Sequence, residues 1–468
     1  MKIILTVHQF LPDYSAGTEI LTYETAKELQ KRGHQVEVWT GFPSSLDVSE
    51  SKQFDSYIYD GVLVQRFYHF YLQSVSRSKW LEFEYNNVVF SELFSDLLKC
   101  KKPDVVYSFH LGNLSASLIT ECVKLNIPTV FIATDFWFIC PKCQLRLANN
   151  TTCNGPGANG INCLAHMLNR DYLNLLPDWL LRLLVWAVKQ GWWPEKRYLP
   201  LVPAILARPA FLKRIINHID RVLAPTRLME QTLLRHGLER GRIRYVPYGI
   251  NLKNIERHPC KPAYEKVRLG FIGTIAEHKG AHVLLEAVRL LPEDLPVEIF
   301  IYGKLEEVPE YTVSLKEIAG DDERIHFCGT FPNHEIGFVF SNLDCLVVPS
   351  LWYENTPLVI YSAQSTNTPV IATNLGGMAE VIQNEKNGLL FEKGDAAQLA
   401  HLIIRICEDR SILATLSANA VKPKSIPVYV NELEEVYGEV VSGRASWRES
   451  IKAGMNLYEE AFQGFGSI

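Results

Sequence analysis

Short runs of apolar, β-branched residues alternate with amphipathic stretches of helical length along most of this chain, and no other feature restricts the fold as much. The pattern is that of βα units wound around a mostly parallel sheet. Strands are expected in the first half at Ile3 to Val7, Gln35 to Trp39, Val62 to Phe67, Asp104 to Tyr107, Thr129 to Ile132, Arg221 to Ala224 and Ile243 to Val246. A helix from Thr18 to Arg32 joins the first two, closed by Gly33 where a helix end favours a left-handed residue. The pattern then repeats, with strands at Val267 to Ile272, Val297 to Tyr302, Ile325 to Cys328, Cys345 to Val348, Pro369 to Ala372 and Gly388 to Phe391. Between them helices are expected at Ala281 to Leu291, Pro357 to Ser365, Gly377 to Gln383 and Ala396 to Cys407. The fold class is therefore α/β, with two Rossmann-like domains. Such sheets bind ligands outside the carboxyl ends of their strands, so two facing halves share one cleft.

A length of 468 residues suits two domains, and 47% hydrophobic with 21% charged residues excludes disordered, collagen-like and small disulfide-rich classes. The formal charge of −5 gives no global attraction to nucleic acid, and no nucleic-acid partner is expected. The start, MKIILTVHQF, has too short an apolar run for a signal-peptide core or a membrane span and reads as a first strand. Ten cysteines scattered from Cys100 to Cys407 lack the density of a secreted framework, which favours a cytoplasmic setting.

The loops that follow strands carry the chemistry. After the first strand, Ser15-Ala16-Gly17-Thr18-Glu19 leads into a helix whose N-terminus can meet an anion, with Gly17 leaving room for close approach. The equivalent loop of the second half, Gly273 to Gly280, places Lys279 beside a helix start, where its charge opposes the helix dipole and suits an anionic ligand. Next, Pro349 to Leu358 puts Glu354, an acceptor for sugar hydroxyls, just before a helix; Asn355 or Thr356 is placed to cap it, with Pro357 at the first helical position. Gly376 and Gly377 precede another helix start, so three helix N-termini are expected to converge on a diphosphate.

These residues resemble family-4 retaining glycosyltransferases of the GT-B fold. The matching segments are GFIGTIAEHKG (270–280), VPYGIN (246–251), VPSLWYENTPLVIY (348–361), PVIATNLGGMAEVI (369–382) and NGLLF (387–391), with looser matches at SAGTE (15–19), RGHQVEV (32–38), PDVVYSFH (103–110) and TDFWFICP (134–141). The resemblance implies transfer of a sugar, with retention and without a required metal, from a nucleoside-diphosphate sugar to a glycan or lipid-linked acceptor in surface polysaccharide or glycolipid synthesis. It implies catalytic roles for Lys279 on the diphosphate, Glu354 on the transferred sugar and His110 near the reacting carbon. Donor binding would involve Gly17, Gly273, Thr274, Asn355, Thr356, Pro357, Leu358, Ser362, Gly376 and Gly377, with Gly329 near the base. The family often has Arg at the position of Thr274 and a ribose-binding Glu at that of Ser362. These two departures define a second reading, a partner or binding subunit with weakened turnover.

The polar, proline-bearing stretch Pro247 to Pro262 marks the domain junction. The expected organisation is an acceptor domain at 1–246, a nucleotide-sugar domain at 247–425, and at 426–468 a C-terminal helix returning to the first domain plus a tail. An insertion at 169–214 holds Trp179, Trp186, Trp192 and Trp193 and eight Lys or Arg against three Asp or Glu. It reads either as helices packed on their own domain with a solvated basic face, or as a peripheral contact with the inner face of the cell membrane. Cys140, Cys143, Cys153 and Cys163 are a candidate structural zinc set, with His166 as a substitute ligand; loose cytosolic thiols are the alternative.

Overall fold

The computed structural model describes residues 1–42, 54–68, 80–147, 151–157, 160–167, 201–253 and 264–463 (side chains to 444), with isolated positions between 179 and 192. The first domain is built on an eight-stranded sheet ordered β3-β4-β2-β1-β5-β6-β7-β8. Its strands are β1 (Lys2–Val7), β2 (Gln35–Phe42), β3 (Phe54–Tyr59), β4 (Val62–Tyr68), β5 (Val105–Ser108), β6 (Thr129–Ile132), β7 (Arg221–Ala224) and β8 (Ile243–Tyr245). The second sheet has six strands, ordered β11-β10-β9-β12-β13-β14. They are β9 (Val267–Ile272), β10 (Val297–Tyr302), β11 (Ile325–Gly329), β12 (Cys345–Val348), β13 (Val370–Thr373) and β14 (Leu389–Phe391). Among the described strands every pairing is parallel except β3 with β4.

Parallel sheets carry helices on both faces, which is why β5, β6, β12 and β13 are buried at every residue and read as continuous apolar runs. On one face of the first sheet Trp39, Phe67, Phe90 and Phe94 pack ring to ring; on the other lie Tyr107, Phe109, Tyr429 and Tyr437. The last two belong to a helix spanning Ile426–Gln463, which returns to the first domain and ties to it through Arg32, whose guanidinium meets Asn431 and Glu434, and through Arg444, which forks onto Asp220.

In both sheets the strand order reverses beside a central strand, between β1 and β5 and between β9 and β12. A crevice opens at such a switch point. The loops after these four strands carry His8 to Gly17, His110, Lys279 and Glu354.

Two expectations change. β3 and β4 form a hairpin around Asp60-Gly61, both at positive φ (45° and 77°), the Asp-Gly signature of a tight turn. In the second part of the 169–214 segment, the helix Leu201–Ile216 packs against the first domain through Val202, Ile205 and Leu212 and leaves Lys213 and Arg214 exposed, but Arg208 departs from a solvated basic face: it is 1% exposed, over the Trp137 ring and bonded to the Trp137 carbonyl. Trp193 lies outside the described residues, whereas Trp179, Trp186 and Trp192 are exposed. Among the described residues no helix is long and apolar enough to cross a membrane.

Candidate active site

The second-domain side of the cleft is two loops zipped together. Gly280, at φ +75°, sits so close to Pro349 that a Cβ would overlap the Pro349 carbonyl oxygen, and the Leu351 amide donates to the His278 carbonyl at 2.8 Å. This docking carries Lys279 to Glu354, with Nζ to Oε1 at 2.6 Å. The same oxygen accepts from Ser350 Oγ at 3.0 Å and Trp352 Nε1 at 2.8 Å, and Lys279 also lies 5.2 Å from the Trp352 ring centre. Three donors on one oxygen fix the carboxylate, and Oε2 takes no part in that cluster. Burial and then the Lys279 charge push the neighbouring His278 down to about 4.

Glu354 is braced from behind by the glycine pair. The Gly377 amide donates to the Glu354 carbonyl at 2.8 Å, and a Cβ on Gly377 would come within 2.6 Å of the Asn355 carbonyl oxygen. At the third helix N-terminus the glycines serve close packing, and the Gly377 amide is already bonded. The helix after Glu354 begins at Leu358, with Pro357 one residue before the expected position and no side-chain cap. Asn355 does not cap because its side chain crosses the cleft, donating to the Ala133 carbonyl at 3.0 Å and accepting from Thr226 at 3.3 Å. Thr356, at φ +97°, donates instead to the Gly377 carbonyl. Ser362 turns its hydroxyl onto the Leu358 carbonyl of its own helix at 3.2 Å. Gly273 and Thr274 stand in the Lys279 loop, and Gly329, at φ +70°, ends β11 with open space around it. Gly17 faces Leu358 from the first domain, where a Cβ would be in ordinary contact at 3.7 Å.

The first-domain side is a row of titratable groups. His110 Nε2 meets Asp135 Oδ2 at 2.9 Å, while Nδ1 accepts from the Gly112 amide at 2.9 Å, which places the ring proton of the neutral form on Nε2. Burial opposes charge on His110, but Asp135 outweighs it and moves the pKa above the ordinary value. Asp135 moves the other way for the same reason, its burial outweighed by His110. His8 packs against His110 with ring centres 4.4 Å apart, and burial and then His110 drive its pKa down to about 3. Glu19, fully buried, lies 3.3 Å from His8, and burial raises its carboxyl above the usual range. Tyr353 beside Glu354 reaches Phe136, one residue from Asp135, at 6.3 Å between ring centres.

Asp135, His8 and Glu19 were not singled out from sequence. Asp135 and Glu19 lie inside the TDFWFICP and SAGTE segments, Glu19 as the third residue of the helix Gly17–Lys31, and His8 is the first residue past β1; for Asp135 and His8, position shortly after a strand was the available signal. Among the described residues, His110, Asp135 and Cys143 form a group whose donor atoms all lie within 4.8 Å of one another. Both His110 nitrogens are engaged, so this group reads as a hydrogen-bonded pair with a thiol beside it rather than a ligand set. Cys143 is thereby separated from the zinc set expected from sequence: Cys140, Cys153 and Cys163 line a different cavity, and His166 lines it with them.

The model of glycosyltransferase family 4 matches residues 15–254, more than half of the chain, and that of glycosyl transferases group 1 matches 255–422. The chain belongs to glycosyltransferase family 4. Among curated family relatives, D-inositol 3-phosphate glycosyltransferase of Corynebacterium urealyticum is 32% identical over 34% of this chain and 38% of its own length. That of Nocardia farcinica is 28% identical over 47% and 52%. The chain thus spans about two fifths to half the length of these curated relatives. Among solved structures, Anabaena HepE in complex with UDP has a TM-score of 0.63 at 14% identity, covering 94% of this chain and 100% of that one. Sucrose-phosphate synthase of Thermosynechococcus elongatus has 0.61 at 18%, covering 99% of both. These likenesses establish the two-domain GT-B fold for this family member.

Proposed function

We propose that this chain transfers a glycosyl group from a nucleoside-diphosphate sugar to a glycan or lipid-linked acceptor, with retention and without a required metal. The observation that carries the reading is the Lys279–Glu354 pair, held at the switch point of the second sheet opposite His110 and Asp135 of the first. The ammonium and the uncapped helix start at Leu358 suit negative charge building on a departing diphosphate. Glu354 Oε2 suits a sugar hydroxyl, and His110 the sugar near its anomeric carbon. HepE was solved with UDP and the two curated relatives named above are D-inositol 3-phosphate glycosyltransferases, so UDP-sugars and phosphorylated polyols are the first donors and acceptors to test.

Calorimetric titration with UDP, GDP, ADP and their sugar conjugates should give saturable binding for one base, weakened about 10- to 100-fold by Lys279→Ala. The anomeric configuration of the product, read by NMR, tests retention. Ser362 favours the weakened-subunit reading, since its hydroxyl is spent on its own helix. Absence of binding at millimolar concentration for every nucleotide would put that reading ahead.

Trp179, Trp186 and Trp192, at 67%, 50% and 71% exposure, support a peripheral membrane contact through 169–214. Flotation with anionic liposomes should fall on combined Trp179→Ser and Trp192→Ser substitution; equal flotation of both proteins would remove this contact from the reading.

A further inference from the structure

We propose that Cys140, Cys153, Cys163 and His166 form a structural Zn2+ site that ties the turns at Cys140 and Cys153 to the helix Ile161–Met167. The four residues run C-x12-C-x9-C-x2-H, and all four line one cavity of about 10 Å³, the size of a single water or ion. Cys163 and His166 are three apart on the helix Ile161–Met167, so both fall on one face, and both are buried. Cys153 is already arranged as a metal-bound thiolate would be, its sulfur accepting from the Gly155 amide at 3.4 Å. Asn162 clasps that turn to the helix, donating to the Gly155 carbonyl and accepting from the Gly157 amide.

Among the described residues no three of these four donor atoms lie within 4.8 Å of one another, so binding has to draw them in, to about 2.3 Å for sulfur and about 2.1 Å for nitrogen. Three thiols lose their protons to solvent on binding while the imidazole stays neutral, so the bound complex carries one net negative charge. Lys142 on the cavity rim and the Gly155 amide offset it. Three sulfurs and one imidazole in tetrahedral array suit zinc. Cys143 is excluded because its sulfur lies with His110 and Asp135.

The site has a consequence for the cleft. Within the loop it closes, Arg146 pairs with Thr152 across a short antiparallel bridge and reaches Glu277 of the Lys279 loop at 3.1 Å.

Protein expressed with zinc supplied should hold about one zinc per chain by elemental mass spectrometry. Cys153→Ser and Cys163→Ser should lose it, and Cys143→Ser should keep it. His166→Cys should also keep it, with the Co2+-substituted spectrum moving toward four-thiolate character. Wild-type protein with no zinc above a buffer blank, or loss with Cys143→Ser alongside retention with His166→Ala, overturns the proposal. Should the cysteine variants fail to fold, wild-type protein stripped by chelator provides the second test: its Tm should fall and recover on adding Zn2+, and an unchanged Tm overturns the site.

Discussion

His110 and Asp135 form a buried pair whose contribution depends on pH in a definite direction. His110 has its folded pKa raised, so its contribution is fully present below the unfolded value of 6.5 and is lost as pH rises through the folded one. Asp135 has its folded pKa lowered, so its contribution is present above 3.8 and is lost as pH falls through its folded value. The pair therefore stabilises most between 3.8 and 6.5. Asp135→Asn should cost roughly 2 kcal/mol in that window and less above it, measured by urea unfolding across pH. The same substitution removes the charge that raises His110, so the imidazole titration followed by NMR should move to lower pH. A constant penalty from pH 5 to 9 with an unmoved His110 would mean that Asp135 acts through packing alone. Lys279 and Glu354 were legible in the sequence because each stands just before a helix start in a loop after a strand, inside segments that resemble the family closely. Asp135 was not, because its role depends on a ring 25 residues away that only the fold brings to 2.9 Å.

At the scale of elements, periodicity exposed the interior strands well, since parallel strands buried on both faces leave continuous apolar runs. It failed at the edge: Phe54–Tyr59 alternates between half-buried and exposed residues, and the Asp60-Gly61 turn was its only strong signal. It failed also where a side chain expected to cap a helix crosses to the other domain, as Asn355 does. The loop from Cys140 to His166 is the element whose consequence is least visible in sequence. Thr274 leaves the Lys279 loop without the arginine common in the family, and Arg146, 12% exposed, comes to Glu277 of that loop from the first domain. Arg146→Ala should remove both a positive charge beside the Lys279 loop and an interdomain ion pair. Nucleotide affinity should fall by about 5- to 30-fold, equivalent to about 1–2 kcal/mol, and a second titration at high salt should narrow the difference between the two proteins. Equal affinities at low salt would confine Arg146 to holding Glu277.

Across the whole molecule, the chain passes between domains twice, and the two crossings lie side by side: the Ile250 amide donates to the Lys424 carbonyl at 2.9 Å, and the Ile426 amide donates back to the Ile250 carbonyl at 2.9 Å. Paired crossings of this kind are where a two-domain chain can bend, and contacts between the domains at the mouth of the cleft then bear on their separation. Glu380, on the helix Gly376–Val381, supplies one clasp, its carboxylate accepting from the Arg227 and Leu228 amides at 2.7 and 2.6 Å and so capping a helix of the first domain. The Asn355 contacts to Ala133 and Thr226 supply another. A carboxylate on a helix N-terminus stabilises by about 1–2 kcal/mol, which moves a two-state opening equilibrium by roughly 5- to 30-fold. Glu380→Ala keeps both domain cores intact, because the side chain touches neither. Small-angle scattering of the nucleotide-free protein should then show a larger radius of gyration than wild type, with Tm nearly unchanged. Coincident scattering curves would mean that Asn355 and the Arg146–Glu277 pair hold the cleft without it, and a Glu380→Ala/Asn355→Ala protein would then be the one to open.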